Sequence, residues 1–344
     1  MSFSKPIPES RRGLDELVET LKMAAEPSRL RILRLLATGD LTVSDLTTIL
    51  GQSQPRVSRH LKLLVEHGLI RRWQEGSWAF FRLSRDRDYG ELVLSLLETL
   101  DPVDATLQRD DERLSGVKHE RQRKASAYFS ANAQAWDQIR SLHAPDVDVE
   151  QALLKAVGDG PFRAMLDIGT GTGRMLELFA PRADTSLGID RNRDMLSIAR
   201  ANIDRAKLDG AEVRQADVGN LDVGRGVYDL VVIHQVLHFL DDPGAAIKEA
   251  VRALAPGGTI AIVDFAVHAN DRLRDEHQHL RLGFSDEVIR DWFLEAGIHD
   301  LSVQAVEPNS ASTGDGEEAL VVKIWVARDP RIEIAVSAAS SEVA

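Results

Sequence analysis

Three alternating glycines mark the part of this sequence that is best suited to bind a ligand. Gly169, Gly171 and Gly173 are separated by threonines. The apolar residues 164–166, followed by Asp167, precede them, and a helical pattern begins at about Arg174. Glycine permits backbone conformations that a Cβ forbids, and it lets a ligand lie directly on the main chain. A strand that ends in such a turn and enters a helix is typical of a nucleotide site.

The spacing of these glycines argues against a dinucleotide. The dinucleotide fingerprint is G-x-G-x-x-G, in which the third glycine allows close packing of the helix on the strand. Counted from Gly169, that third position is occupied by Arg174. We therefore expect neither NAD nor FAD at this turn.

Two histidines lie in the loop that follows a later apolar run, residues 228–233. Imidazole titrates near neutral pH, so His234 and His238 are both candidates for a catalytic general base. In the alternative interpretation, one of them only forms hydrogen bonds within the loop. The sequence leaves both interpretations open.

A charged insertion, residues 267–284, contains three further histidines, two of which are only two positions apart. His277 and His279, with Glu276, have the side chains of a metal site. However, residues two positions apart do not share a helix face, and no further ligand is evident. We predict no metal site. The insertion is then either a lid that contacts a bound molecule or an exposed helix.

The composition limits both chemistry and location. The 344 residues include no cysteine, which excludes disulfides, thiolate metal sites and cysteine nucleophiles. No apolar run approaches the roughly 18 residues that would span a membrane. The N-terminus lacks the apolar core of a secretory signal. We therefore expect a cytoplasmic protein that does not bind membranes.

The glycine turn lies in a region where strands and helices alternate, residues 126–330. Such alternation predicts a doubly wound α/β sheet, with ligands at the carboxyl ends of the strands. The predicted strands are 164–168, 185–190, 211–216, 228–233, 258–265, 299–306 and 319–327, and the predicted helices are 173–180, 193–206, 243–254 and 286–296.

Residues 128–328 resemble the class I S-adenosylmethionine-dependent methyltransferases, in particular those of the ubiquinone-biosynthesis type. The family pattern [DE]-x-G-x-G-x-G is met in full by residues 167–173. The resemblance implies a Rossmann-like fold with a mostly parallel sheet and an antiparallel last strand. It also implies S-adenosylmethionine as the cofactor.

The same resemblance implies roles for residues along the domain. Asp190 takes the position of the acid that binds the ribose hydroxyls, Met195 packs on the adenine, and Asp217 meets its amino group. Tyr128 is a candidate to lie across the cofactor pocket. The implied cofactor-binding set is Asp167, Gly169, Thr170, Gly171, Gly173, Asp190, Met195, Asp217, Val218 and His234.

The loop that begins at His234 limits the methyl acceptor. DNA and protein amino-methyltransferases commonly carry Pro-Pro here, and this sequence has no Pro-Pro. Cytosine C5 methylation and arsenite methylation rely on cysteines. We therefore expect a small-molecule acceptor, with His234 or His238 as the catalytic base.

The first hundred residues predict a different domain. A short helix from about Thr42, a turn at Gly51 and a longer helix at 55–67 fit a helix-turn-helix, and two strand-like runs around Gly76 fit a wing. Polar and basic residues early on the second helix are typical of contact with DNA bases and phosphates. The candidate DNA-binding residues are Gln54, Arg56, Ser58, Arg59, Lys62 and Arg72.

This region resembles the ArsR/SmtB winged-helix repressors. The matching text is AEPSRLRIL at 25–33, QPRVSRHLKLL at 54–64 and GLI at 68–70. The resemblance implies binding to an operator in double-stranded DNA as a homodimer, to which an apolar stripe on a helix at 88–100 would contribute. Because the chain has no cysteine and that helix has no histidine, metal sensing is not expected.

We predict five segments: 1–10 disordered, 11–100 winged helix, 101–125 a charged helical linker with a break at Ser115-Gly116, 126–330 methyltransferase domain and 331–344 disordered. Residues 1–90 carry a net charge of +4 and the remainder −16, which favours DNA contact through the first domain alone. Two functions remain open: methyl transfer to a small molecule, or a sensor in which S-adenosylmethionine or S-adenosylhomocysteine controls operator binding.

Overall fold

The computed structural model describes residues 13–84, 90–141, 146–219, 221–308 and 320–331. They form two compact units, the first ending at Arg123 and the second beginning at Lys124. The predicted disordered ends, 1–10 and 331–344, lie outside the described residues except for Arg331, which donates to the carbonyl of Leu254. The functions assigned to the five segments in the sequence analysis stay predictions.

The first unit contains the predicted helix-turn-helix and wing. Its small antiparallel sheet has the strand order β1-β3-β2. Its elements are α1 Leu14–Ala24, α2 Pro27–Ala37, β1 Leu41–Thr42, α3 Val43–Leu50, α4 Gln54–Glu66, β2 Ile70–Glu75, β3 Trp78–Leu83, α5 Gly90–Glu98 and the first part of α6 Ala105–Asn132.

Local signals explain where the helix-turn-helix begins and turns. Thr42 and Asp45 form a reciprocal capping box that starts α3. Gly51 ends α3 in the left-handed conformation, which glycine adopts without a steric penalty. Val57, Leu61 and Leu64 of α4 are buried, so the opposite face of α4 is left exposed.

Helix α6 corrects the prediction for the linker. It runs without a break from Ala105 to Asn132, so the break predicted at Ser115-Gly116 is wrong. A glycine in an exposed helix costs only about 1 kcal/mol relative to alanine, which the packing of neighbouring residues can outweigh. Leu114 is buried in the core of the first unit.

Ion pairs also fasten α6 to the first unit, where a solvated connector was predicted. Asp110 receives two hydrogen bonds of 2.6 Å from Arg31, and its side chain is 1% exposed. Arg34 and Asp111 form a second bidentate pair at 2.7 Å. Arg113 donates to the carbonyl of Ile49 at the end of α3. Some of the charged residues of α6 therefore form ion pairs that pack this helix against the rest of the first unit.

The second unit has the predicted doubly wound α/β fold. Its seven-stranded sheet has the order β6-β5-β4-β7-β8-β10-β9, and the last strand among the described residues, β10, is antiparallel to both of its neighbours. Its elements after α6 are α7 Trp136–Ser141, α8 Asp146–Val157, β4 Phe162–Ile168, α9 Arg174–Phe179, β5 Ala183–Asp190, α10 Arg193–Ala206, β6 Ala211–Gln215, β7 Tyr228–His234, α11 Pro243–Ala253, β8 Leu254–Phe265, α12 Arg272–His277, α13 Asp286–Glu295, β9 Leu301–Val306 and β10 Val322–Arg328.

The sequence analysis gave no bounds for α7, α8 or α12, although an exposed helix was one of its interpretations of the insertion that contains α12. Helix α8 buries Val149, Leu153 and Val157 in the core of the second unit. Helices α7 and α12 have six residues each, and periodicity is a weak signal over so short a length. Among the described residues, no helix has the length and apolar character needed to cross a membrane.

Candidate functional site

The glycine turn leaves β4 at the centre of the sheet and enters α9. All three glycines have positive φ: +74° at Gly169, +53° at Gly171 and +89° at Gly173. The amides of Gly169 and Thr170 donate to the carbonyl of Ile189 on the neighbouring strand β5. The backbone is thus held in a conformation that residues with a Cβ rarely adopt.

Two glycines in this region also lack space for a side chain. A Cβ at Gly169 would lie 2.4 Å from a methyl group of Val236, in the loop after β7. A Cβ at Gly188 would lie 2.7 Å from the hydroxyl oxygen of Thr170. A Cβ at Gly171 would meet no atom closer than 3.6 Å, where the ring of Trp136 lies. Of these three positions, Gly171 is the one at which a Cβ would meet only ordinary van der Waals contacts.

Asp167 is a buried carboxylate without a partner. It ends the apolar part of β4 with 1% of its surface exposed, and neither carboxylate oxygen receives a hydrogen bond. Burial raises the pKa of the Asp167 carboxyl to about 7. A buried polar group without a hydrogen bond is costly, and such groups are uncommon away from functional sites.

Asp190, at the end of β5, lies beside the same turn. One oxygen accepts the amide hydrogen of Gly171 at 3.0 Å, and the other accepts that of Asn192 at 2.8 Å. Burial raises the pKa of the Asp190 carboxyl, and these hydrogen bonds oppose that change. Asn192 caps α10, and Met195 in the first turn of that helix is buried.

Asp217 and Val218 follow the edge strand β6. The amide of Ala216 donates to the carbonyl of Asp190, which brings the ends of β5 and β6 together. Asp217 is exposed and lies 3.5 Å from Arg191. The residues predicted to bind the cofactor thus lie at or after the carboxyl ends of four adjacent strands, β6, β5, β4 and β7.

The two loop histidines have different surroundings. His234 ends β7, and burial lowers the pKa of its imidazole to about 3, so the ring is neutral at pH 7 and weakly basic. His238 is 2% exposed and donates from Nδ1 to Asp264 at 2.7 Å. Its carbonyl accepts the amide hydrogens of Leu280 and Arg281, so it also fastens the insertion 267–284.

An aromatic group lies next to the glycine turn. Phe129 packs against Trp136 and Phe239, with ring centroids 5.2 and 4.8 Å apart. Tyr128 forms a hydrogen bond of 2.7 Å with His277 of the insertion. His279 stacks on His238 at 4.1 Å. The insertion and the end of α6 thus meet on this side of the sheet.

Several residues of the site had no assigned role in the sequence analysis. Trp136 and Asp137 begin α7, and the hydroxyl of Thr172 donates to Asp137 at 2.8 Å. Asp264 orients His238, and Asn192 donates to the carbonyl of Ser126 in α6. None of these residues belongs to a sequence motif, although an acid at the end of an apolar strand, such as Asp264, could have been singled out by its position.

The candidate DNA-binding residues of the first unit are all exposed. Gln54, Arg56, Ser58, Arg59 and Lys62 are exposed on α4, and Arg72 is exposed on β2 of the wing. In contrast, the basic residue Arg82 on β3 pairs with the buried Asp40 and serves the packing of the wing. Across the described ranges, no group of three potential metal ligands comes together.

Two family models match this chain. Residues 26–72 match the model described as "Bacterial regulatory protein, arsR family", and residues 166–262 match the model described as "Methyltransferase domain". The first match covers the helix-turn-helix and the second covers the sheet from β4 into β8.

The chain is similar to curated proteins of both kinds. It is 47% identical over 68 residues to the arsenical resistance operon repressor of Escherichia coli (strain K12), which is 20% of this chain and 58% of that protein. It is 37% identical over 87 residues to the arsenical resistance operon repressor of Staphylococcus xylosus, 25% of this chain and 84% of that protein.

For the second unit, the chain is 26% identical over 136 residues to the ubiquinone biosynthesis O-methyltransferase of Methylococcus capsulatus. That match covers 38% of this chain and 57% of the relative. The chain therefore spans little more than half the length of this relative and of the E. coli repressor.

Proposed function

Because the chain belongs to the ArsR family of bacterial regulatory proteins and carries a methyltransferase domain, we propose that it is an operator-binding regulator that responds to an S-adenosyl ligand. The ligand is S-adenosylmethionine or S-adenosylhomocysteine, bound at the glycine turn. The observation that carries this proposal is the unpartnered, buried carboxylate of Asp167 beside the glycine turn.

The residues beside the turn fit such a ligand. Asp167 offers an acceptor to a positively charged group, and Asp190 has lone pairs left for hydroxyl groups of a ribose. The exposed position of Asp217 suits the amino group of an adenine, and Val218 and Met195 offer apolar contact. Thr170 and Gly173 shape the turn, and His234 borders it as a neutral ring.

Calorimetric titration with both cofactor forms tests this site. We expect Asp190→Asn, which keeps the shape of the side chain, to weaken binding at least tenfold, because the amide loses charge-assisted hydrogen bonds. Asp209→Asn, at an exposed aspartate outside the site, is the matched control and should bind as the wild type does. If neither cofactor form binds the wild type, or if Asp190→Asn binds equally well, the proposal is wrong.

The surroundings of the two histidines favour sensing over methyl transfer. A base with a pKa of about 3 abstracts a proton poorly at pH 7, which disfavours His234 as the catalytic base. His238 is buried and fastens the insertion. A sensor needs no base; it needs only different affinities of the ligand for two states, and tenfold control of operator affinity requires about 1.4 kcal/mol.

Methyl transfer to a small molecule is the second candidate. The observation that favours it is the His238–Asp264 pair, because a carboxylate on Nδ1 fixes the tautomer and leaves Nε2 as the basic atom. The two candidates separate in a gel shift on the DNA upstream of the gene, repeated with each cofactor form. Superimposed binding curves would exclude the sensor, and release of S-adenosylhomocysteine with an added acceptor would establish transfer.

A double substitution on α4 tests the DNA-binding surface. We expect Arg56→Ala/Arg59→Ala to weaken operator binding and to reduce the slope of log K against log salt by about 2, since each phosphate contact contributes about 0.9. The matched control is Arg109→Ala/Arg123→Ala, two exposed arginines of α6. An unchanged slope in the α4 variant would exclude α4 as the source of phosphate contacts.

We also propose that the regulator is a two-fold dimer, which would match a palindromic operator. Exposed apolar residues on the first unit support this: Leu14, Val18 and Leu21 on α1, and Leu94 on α5. Tyr89, which belongs to the apolar stripe predicted on the helix at 88–100, lies outside the described residues. Sedimentation at micromolar concentration should give twice the mass of the chain, and a single-chain mass would overturn the proposal.

A further inference from the structure

Helix α6 belongs to both compact units, because the boundary between them, at Arg123 and Lys124, falls inside it. Residues 118–127, which cross this boundary, read KHERQRKASA. They contain no apolar side chain larger than that of alanine, and none of them is buried. A helical stretch with so little tertiary packing is only marginally stable in water. The helical order of this stretch therefore depends on the contacts at its two ends.

The first half of α6 is fixed to the helix-turn-helix. Arg121 forms an ion pair of 2.5 Å with Asp45, the acid of the capping box that starts α3. Arg113 donates to the carbonyl of Ile49, and a guanidinium nitrogen lies 2.9 Å from a Cβ built at Gly51, in the turn before α4. Contacts from α6 thus reach both the beginning and the end of α3.

The second half of α6 is fixed beside the glycine turn by Asn192. The backbone amide of Asn192 donates to Asp190, the acid proposed to bind the ribose. Its side-chain nitrogen donates to the carbonyl of Ser126 at 3.1 Å and to the hydroxyl of Ser130 at 3.0 Å. Asn192 is 5% exposed, so these hydrogen bonds are shielded from water. Asp190 is therefore connected with α6 through a single residue.

We propose that ligand binding at Asp190 is transmitted to the helix-turn-helix as helical order of α6 across the unit boundary. This inference rests on the proposed function and adds the route of its regulation. A ligand that holds Asp190 and Asn192 in place also holds α6 at Ser126, and helix propagation from a fixed end adds one hydrogen bond for each residue. The ordered helix then presents Arg121 and Arg113 to α3. The ligand thereby biases two states, an ordered and a frayed junction, and a bias of this kind couples two sites.

Two glycines in the junction test this route. Arg123→Gly/Ala127→Gly places one glycine on each side of the boundary, at exposed positions, and each glycine weakens the helix. If S-adenosylhomocysteine changes the operator affinity of the wild type by about tenfold, we expect this factor to fall below about threefold in the variant. Gln108→Gly/Glu112→Gly is the matched control, since it has the same spacing on exposed positions of α6 but lies before the junction. The control should keep the wild-type factor.

Gel shifts with and without the ligand give this factor. Ligand binding without DNA, measured by calorimetry, and operator binding without ligand show that each unit of a variant is folded. A glycine variant that binds both and keeps the wild-type factor would overturn the inference. If instead the wild type binds the ligand and the operator independently, or binds no S-adenosyl ligand, the proposed function itself fails, which is a different result.

A second variant decides the case in which the glycine variant does not fold. Arg113→Met removes the contacts with Ile49 and the turn at Gly51, and it changes neither the ligand site nor the basic residues of α4. We expect it to lower the same factor by about threefold or more. Arg109→Met is its control, because the hydrogen bonds of Arg109 stay within α6. The same factor in Arg113→Met and in the wild type would also overturn the inference.

Discussion

Asp167→Asn is expected to weaken the binding of S-adenosylhomocysteine by about a hundredfold at pH 8, since an ammonium then loses its buried counter-charge. Asparagine keeps the shape of the side chain, so the loss reports the charge. Asp209→Asn, at an exposed position of the same unit, should leave binding unchanged. Calorimetric titration gives both affinities, and equal binding by Asp167→Asn and the wild type would remove Asp167 from the ligand site.

The same substitution should change how the stability of the ligand-free protein depends on pH. Burial raises the pKa of Asp167 to about 7, so the folded protein holds a proton that the unfolded chain releases near pH 4. Stability from this group is therefore fully present at low pH and is lost as the pH rises toward 7. The slope is about −1.4 kcal/mol per pH unit between roughly pH 5 and 6.5.

Scanning calorimetry over this pH range measures the effect. The transition of the second unit is the one that S-adenosylhomocysteine moves to higher temperature in the wild type. The difference in unfolding free energy between Asp167→Asn and the wild type should grow in favour of the variant as the pH rises, and then level off above about pH 7.5. A difference that does not vary with pH would show that Asp167 titrates normally.

Asp110→Ala is expected to destabilise the first unit by about 3–5 kcal/mol, because it leaves the guanidinium of Arg31 without its counter-charge in a largely buried place. Asp110 is 1% exposed and Arg31 is 17% exposed. Small domains are stable by only about 5–15 kcal/mol, so operator binding should fall with the folded fraction.

The adjacent residue provides the control. Asp111 forms the same bidentate arrangement with Arg34 from the next position of α6, but its side chain is 47% exposed. Asp111→Ala should therefore cost only about 0–1 kcal/mol. Urea unfolding of both variants, followed by circular dichroism, gives the comparison. Equal losses in the two variants would mean that burial does not set the strength of these pairs.

The sequence alone was sufficient for the fold class of each unit and for the positions of the glycine turn and the helix-turn-helix. The glycines at 169, 171 and 173 adopt positive φ in the structure, and the turn forms between β4 and α9 as predicted. The capping residue Thr42 and the terminating Gly51 place α3 correctly. These features follow from interactions between residues a few positions apart, and periodicity records them directly.

The tertiary structure decided which distant residues complete each site. Arg31 meets Asp110 across 79 positions, and His238 meets Asp264 across 26. The linker was predicted to be solvated because of its charge, but ion pairs such as Arg31–Asp110 pack part of it as a helix. The predicted break at Gly116 does not occur. A charge in the sequence does not reveal its partner, because the partner is brought to it only by the fold.

The same limit applies at the glycine turn. The conformation of the turn depends on neighbouring residues and was predicted from the spacing of the glycines. The residues that pack against the turn are distant in sequence and were not predicted. Trp136 and Asp137 reach the turn only because α7 packs there, and six residues of helix carry too little periodicity to predict that contact. The sequence by itself determined a nucleotide-type turn, and only the tertiary structure decided that α7 packs against it.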